Sequence, residues 1–163
     1  MPTDKNLNVN RVRKVYLEEE WECDGTVAIE EGDLLYWDTS NDTVKPASSF
    51  SWNSNIATTN GEFSVLFVGV AMGSRVVADS NEQKMLVAVD CEAVFPFTAA
   101  TSGALERGGG VSTCEGSSAL LNQYILNTLD GSHNIGGMAE AVVSGAIEAS
   151  VHFKGAYTGA AAA

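Results

Sequence analysis

Residues Gly25–Asp38 read G-T-V-A-I-E-E-G-D-L-L-Y-W-D. Val27 and Ile29 alternate with Ala28 and Glu30, Glu31-Gly32-Asp33 breaks the run, and Leu34-Leu35-Tyr36-Trp37 begins another. Apolar residues at every second position lay one side of a strand against a core, and the Gly/Asp break supplies the turn, so the stretch predicts a half-buried hairpin. Gly32 carries the turn, because glycine alone adopts positive φ without steric cost.

The same pattern returns further along. Ala28-Ile29-Glu30-Glu31-Gly32 and Ala104-Leu105-Glu106-Arg107-Gly108 both read small, apolar, Glu, charged, Gly. Downstream, Phe67-Val68-Gly69-Val70-Ala71 matches Asn134-Ile135-Gly136-Gly137-Met138-Ala139, and the alternating run Met85–Phe95 matches Ala146–Phe153. The period is roughly 70–75 residues, and two copies are too few for a solenoid. Two β-meander halves that bury their apolar faces against each other predict an all-β fold with little helix, a small β-barrel-like body.

Several segments have a definite reading. Tyr16–Cys23 is a plausible first strand with a charged outer side. Thr43–Ala47 closes on Pro46 as an edge strand. Asp38, Ser40 and Asp42 are spaced as in a calcium loop but lack its central Gly and distal Glu, so a plain turn is expected. Ser48–Gly61 reads as a long polar loop carrying Phe50, Trp52 and Ile56, which either fold back on the core or meet a partner. Phe63–Ala71 reads as a strand buried on both faces. Met85–Phe97 has the cleanest alternation, with Met85, Val87, Val89, Cys91, Ala93 and Phe95 on the dry face. Gly116–Gly131 fits a short helix as well as two strands, and Ala146–Lys154 alternates with Ile147, Ala149, Val151 and Phe153 inside. The organisation expected is an extended basic arm over 1–15, one body over 16–154 with halves near 16–97 and 98–154, and a flexible tail over 155–163.

Charge divides the chain unevenly. The 163 residues carry a net charge of −12, yet Lys5, Arg11, Arg13 and Lys14 fall in the first 14 positions against one acid. From Val15 onward there are 20 acids and five basic residues. An acidic body repels nucleic acid and anionic membranes, so neither is expected as a partner, whereas a basic protein surface would complement it. No apolar run is long enough to span a bilayer, and the first residues lack the apolar core of a signal peptide. Cys23, Cys91 and Cys114 are odd in number and widely spaced, which predicts reduced, buried thiols in a protein made in a cytoplasm.

Catalytic chemistry has little purchase. No G-x-S-x-G, H-E-x-x-H or phosphate loop occurs, and Gly108-Gly109-Gly110 is not followed by Lys-Ser/Thr. Asp90 and Glu92 share a strand face at a spacing usable by a glycosidase, and with His152 they are the one cluster that an enzyme reading would require. No catalytic residue, metal or cofactor is expected. His133 and His152 read as surface residues, one in a turn and one on the outer face of the last strand.

The string G-T-V-A-I-E-E-G-D-L-L-Y-W-D, followed by T-V-K-P-A, F-V-G-V-A and V-A-V-D-C-E-A, resembles the capsid decoration (cement, head-stabilising) proteins of tailed bacteriophages. A-L-E-R-G-G-G-V, N-I-G-G-M-A-E-A and I-E-A-S-V-H-F are similar to that family's second half. The resemblance covers roughly Gly25 to Phe153. It implies a β-barrel or β-tulip body, frequent trimers, and a place on the outside of the virion, bound to the major capsid protein and bridging neighbouring capsomers. The long Ser48–Gly61 loop and the basic arm depart from the family pattern. On this reading Lys5, Arg11, Arg13 and Lys14 form a capsid-binding arm, and Phe50, Trp52 and Ile56 a possible contact loop. The alternative is a small barrel that binds a ligand or glycan through Trp52, Phe50 and Tyr36.

Overall fold

The computed structural model describes residues 12–77, 84–128 and 133–157. Nine strands form one antiparallel sheet: β1 (Val12–Glu22), β2 (Leu34–Asp38), β3 (Thr43–Pro46), β4 (Phe67–Ala71), β5 (Lys84–Pro96), β6 (Gly110–Glu115), β7 (Leu120–Thr128), β8 (Gly136–Met138) and β9 (Glu148–Lys154). One helix, α1 (Ile56–Leu66), interrupts them. The strand order β3-β2-β4-β5-β9-β8-β6-β7 is the same half-sheet twice, back to back across the β5–β9 pair. β1 lies on the other edge of β5.

The duplication holds hydrogen bond by hydrogen bond. Ile29 and Arg75 exchange both backbone bonds, at 3.0 and 2.7 Å, and Leu105 and Val142 exchange the same two at 2.9 Å. Gly32 N–H donates to Ala71 O (2.9 Å) as Gly108 N–H does to Met138 O (2.8 Å). Ala71 N–H returns to Asp33 O, and Met138 N–H to Gly109 O, both at 2.8 Å. The two turn glycines have φ of 94° and 86°. Strand register repeats as well. Glu22↔Lys84, Glu20↔Leu86 and Glu18↔Ala88 in the β1–β5 ladder correspond to Pro96↔Glu148, Val94↔Ser150 and Glu92↔His152 in the β5–β9 ladder. β5 therefore closes the first unit and opens the second, so two units share one long strand.

Two cores follow from this arrangement. The larger gathers Leu34, Phe63, Phe67, Phe95, Val111, Ile125, Val151 and Phe153 from both units. The smaller packs Trp21, Cys23, Ile29, Leu35, Val68 and Val87 on the far side of the first unit. Met85, Val87 and Val89 of β5 enter the smaller core, and Cys91, Ala93 and Phe95 enter the larger. A side chain the size of Val or Phe, fully buried, contributes about 1.5–3 kcal/mol. β4 is buried at all five residues, as its unbroken apolar sequence requires.

The structure corrects several expectations. The sheet path is open, since its end strands β3 and β7 do not pair with each other among the described residues, so the body curls but does not close into a barrel. Side chains tie the curl instead: Ser48 N–H donates to Asn122 Oδ1 at 2.6 Å, and Gln123 Nε2 donates to Asp33 Oδ1 at 2.8 Å and Glu31 O at 3.1 Å. The stretch read as loop and strand contains α1. Asn55 caps it by accepting Thr58 N–H at 2.9 Å, and Asn60 is buried with its amide bonded to Ser112 and Thr113. The ambiguous segment after Gly116 is strand, β7. Ile147 is 68 % exposed, just before β9 starts, and not inside. Gly155–Tyr157 are docked: Gly155 N–H bonds Val89 O at 2.8 Å, and the Tyr157 ring stacks on Trp37 at 5.6 Å. The rest of the expected tail, 158–163, lies outside the described residues.

Candidate interaction surface

β1 is the element with the least cover. Its sequence V-R-K-V-Y-L-E-E-E-W-E begins basic and ends acidic. Trp21 is its one buried residue, and every residue from Arg13 to Glu20 is exposed. Among the described residues it is paired with β5 alone, along a ladder irregular at Arg13, Tyr16 and Val89. Val15, Tyr16 and Leu17 in the middle are 39, 55 and 51 % exposed. Trp21 anchors the C-terminal end, edge-on to Trp37 at 5.3 Å and tilted against Tyr157 at 6.1 Å.

Arg13 and Lys14 of the expected arm therefore stand on a strand, five and four positions before the start of the acidic run Glu18–Glu20. Val12–Val15, assigned to an extended arm by sequence, belong to the sheet. Lys5 and Arg11 lie outside the described residues. Phe50, Trp52 and Ile56 are half-buried against the larger core. Phe50 meets Tyr36 edge-on at 4.9 Å and Phe63 at 5.4 Å. Burial pushes the Tyr36 phenol up to about 12, with Lys45 pulling the other way.

Beside β1 the sheet carries the trio that the enzyme reading requires. His152 Nε2 lies 2.5 Å from Asp90 Oδ1, Glu92 is the cross-strand neighbour of His152, and the Tyr16 ring sits 5.5 Å from the imidazole. The group lies on an open sheet face, with His152 itself 46 % exposed. The neighbouring hollow, about 130 Å³, is lined by Leu17, Glu19, Val89, Asp90, Lys154 and Tyr157. A larger groove of about 280 Å³ runs along 97–105 beside Ile125 and Leu126, and none of the trio lines it. No group of three metal-ligating side chains occurs among the described residues, and none of their helices is long and apolar enough to cross a membrane.

The D-x-S-x-D stretch is a turn. Asp38 accepts the Ser40 N–H, the Asn41 amide and the Lys45 ammonium, at 2.9, 2.8 and 2.5 Å. Lys45 also reaches Asp24 at 3.3 Å. These bonds hold both carboxyls below the usual range, the Thr26 hydroxyl acting most strongly on Asp24 and Lys45 on Asp38.

Sequence reasoning missed Asp33. It was expected in surface turn chemistry, yet it is 1 % exposed, accepting Glu30 N–H at 2.8 Å and the Gln123 amide. Its partner Gln123 is distant in sequence, and no local pattern announces it. Comparison with family models, curated proteins and solved structures finds no match.

Proposed function

We propose that this chain is a non-enzymatic structural protein that binds the outer surface of a tailed-phage capsid and stabilises the shell by bridging neighbouring capsomers. The observation that carries the reading is β1: a long strand with a basic start, exposed along its length and paired on one edge, leading out of a body that is otherwise acidic. Such a strand offers a partner protein charge and exposed apolar side chains on its faces. The resemblance of the duplicated glycine-turn units to decoration proteins supplies the shell as that partner, and with it a place on the virion and association as trimers. Many weak, identical contacts repeated over a lattice suit an exposed strand better than one deep pocket would.

Pull-down with the tagged protein from infected cells tests this. The major capsid protein is expected in the eluate, and its recovery is expected to fall when residues 1–11 are removed and again when R13E/K14E is introduced. Undiminished recovery in both would remove the arm from the mechanism, and recovery of no shell protein would end the proposal. The ligand-binding alternative is less well supported, because Tyr36 is buried and Phe50 and Trp52 are spent on core packing.

A further inference from the structure

We infer that the outer edge of β1 is a self-association site, taking β1 of a second copy of this chain in antiparallel register centred on Tyr16. The argument begins with the duplication. β5 opens the second unit as β1 opens the first, and the edge of β5 that faces away from β9 is filled by β1 over Lys84–Ala93. The equivalent edge of β1 has no strand against it from Val12 to Trp21 among the described residues; past the end of β1, Cys23 bridges Val44 of β3. The fold therefore places an antiparallel strand at this position once and leaves it open once.

The side chains of β1 say what fits there. Antiparallel pairing about Tyr16 sets Arg13 against Glu19, Lys14 against Glu18, and Val15 against Leu17, each twice by symmetry. Opposite charges and apolar pairs facing each other across strands are stabilising, while like charges are not. Parallel pairing in register would set Glu18, Glu19 and Glu20 against themselves. The sequence is thus self-complementary in the one orientation that a two-fold axis generates, which is the signature of an isologous contact. Val15, Tyr16 and Leu17, exposed in the single chain, would supply the apolar centre. The contact is two-fold, so it joins copies or trimers and does not itself build a trimer. It needs no shell, so its test is independent of the capsid reading.

Sedimentation equilibrium of the full chain is expected to show a concentration-dependent dimer that weakens as salt is raised. R13E/K14E and E18K/E19K each make the facing pairs 13–19 and 14–18 like-charged, and each is expected to weaken self-association by at least about tenfold. Mixed in equal amounts, the two variants are expected to form a heterodimer, because every charged pair is then opposite. Circular dichroism melting checks that both remain folded, as exposed sites should allow. A wild-type chain that stays monomeric up to millimolar concentration overturns the inference. So does a dimer indifferent to both variants, a mixture that fails to associate, or a dimer abolished by removing residues 1–11 while both charge variants keep it.

Discussion

Four glycines test the duplication at the level of single residues. Gly32 and Gly108 hold φ of 94° and 86° at equivalent turns. A Cβ at Gly108 meets nothing within 4 Å, so Gly108→Ala suffers backbone strain alone, about 1–2 kcal/mol. Gly69 and Gly136 are different. A Cβ there would lie 2.2 Å from Ala88 O and 2.5 Å from His152 O, inside the equivalent strand of each unit. Gly69→Ala and Gly136→Ala are therefore expected to cost more than Gly108→Ala in urea denaturation, and Gly73→Ala, with open space and no positive φ, to be near neutral. Losses at Gly69 and Gly136 that differ widely, or that do not exceed the loss at Gly108, would mean the equivalence is superficial. The thiols give a second prediction. Burial pushes Cys91 and Cys114 up to about 12 and Cys23 to about 11, the last partly offset by Arg75. A folded-state pKa above the unfolded value of 9.0 means that the unfolded chain loses its protons first. Stability is then whole below pH 9 and falls as pH rises from 9 toward 11–12. Replacing the three cysteines by alanine should flatten that alkaline limb, and a thiol reagent should label the native protein only as fast as it unfolds.

Among the elements, β5 and α1 respond differently to mutation. Val87 is fully buried where Leu86, one position earlier, is 44 % exposed opposite Glu20. Val87→Asp is expected to abolish soluble expression, while Leu86→Gln should shift the melting temperature only slightly. Asn55→Ala removes the cap of α1 and should cost about 0.5–2 kcal/mol in urea unfolding. The strands were legible in sequence because alternation reports burial directly: the buried positions of β5 and the unbroken run of β4 could be read from residue order, but the irregularity at Val89, which sends Met85 and Val87 to one core and Cys91, Ala93 and Phe95 to the other, could not. The helix was not. I-A-T-T-N-G-E-F-S-V-L is rich in β-branched residues and contains a glycine, all poor helix formers. It is helical because Phe63 packs against Tyr36 and Phe67 and Asn60 bonds Ser112 and Thr113, contacts with residues before and far beyond it. The open sheet escaped for a similar reason, since closure depends on whether the two end strands meet, and no local pattern encodes that. The exposed β1 was legible in part: its charges were visible, but its single-edged pairing with β5 was not.

For the whole molecule, the shared strand decides how the protein comes apart. Neither unit can be removed without taking a strand from the other, and the larger core draws on both. Thermal unfolding is expected to be one transition, with calorimetric and van't Hoff enthalpies equal. Two resolved transitions would show that the units are separate domains that merely touch. The ties between β7 and the first unit add to the coupling. Gln123→Ala would leave the buried Asp33 without that bond, at a cost of about 1–3 kcal/mol.

The position of β5 also sets a clock. It has partners on both edges over Val87–Ala88 and Asp90–Ala93, so an amide there meets solvent only after β1 or the β4–β9 side has been stripped away. In deuterated water the edge strands β1, β3 and β7 should take up label first, through local fraying, while the amides in the middle of β5 that face β4 and β9 keep their protons until the entire body opens. That strip of backbone would be the last part of the molecule to exchange, and its rate would report the opening of both halves with one number.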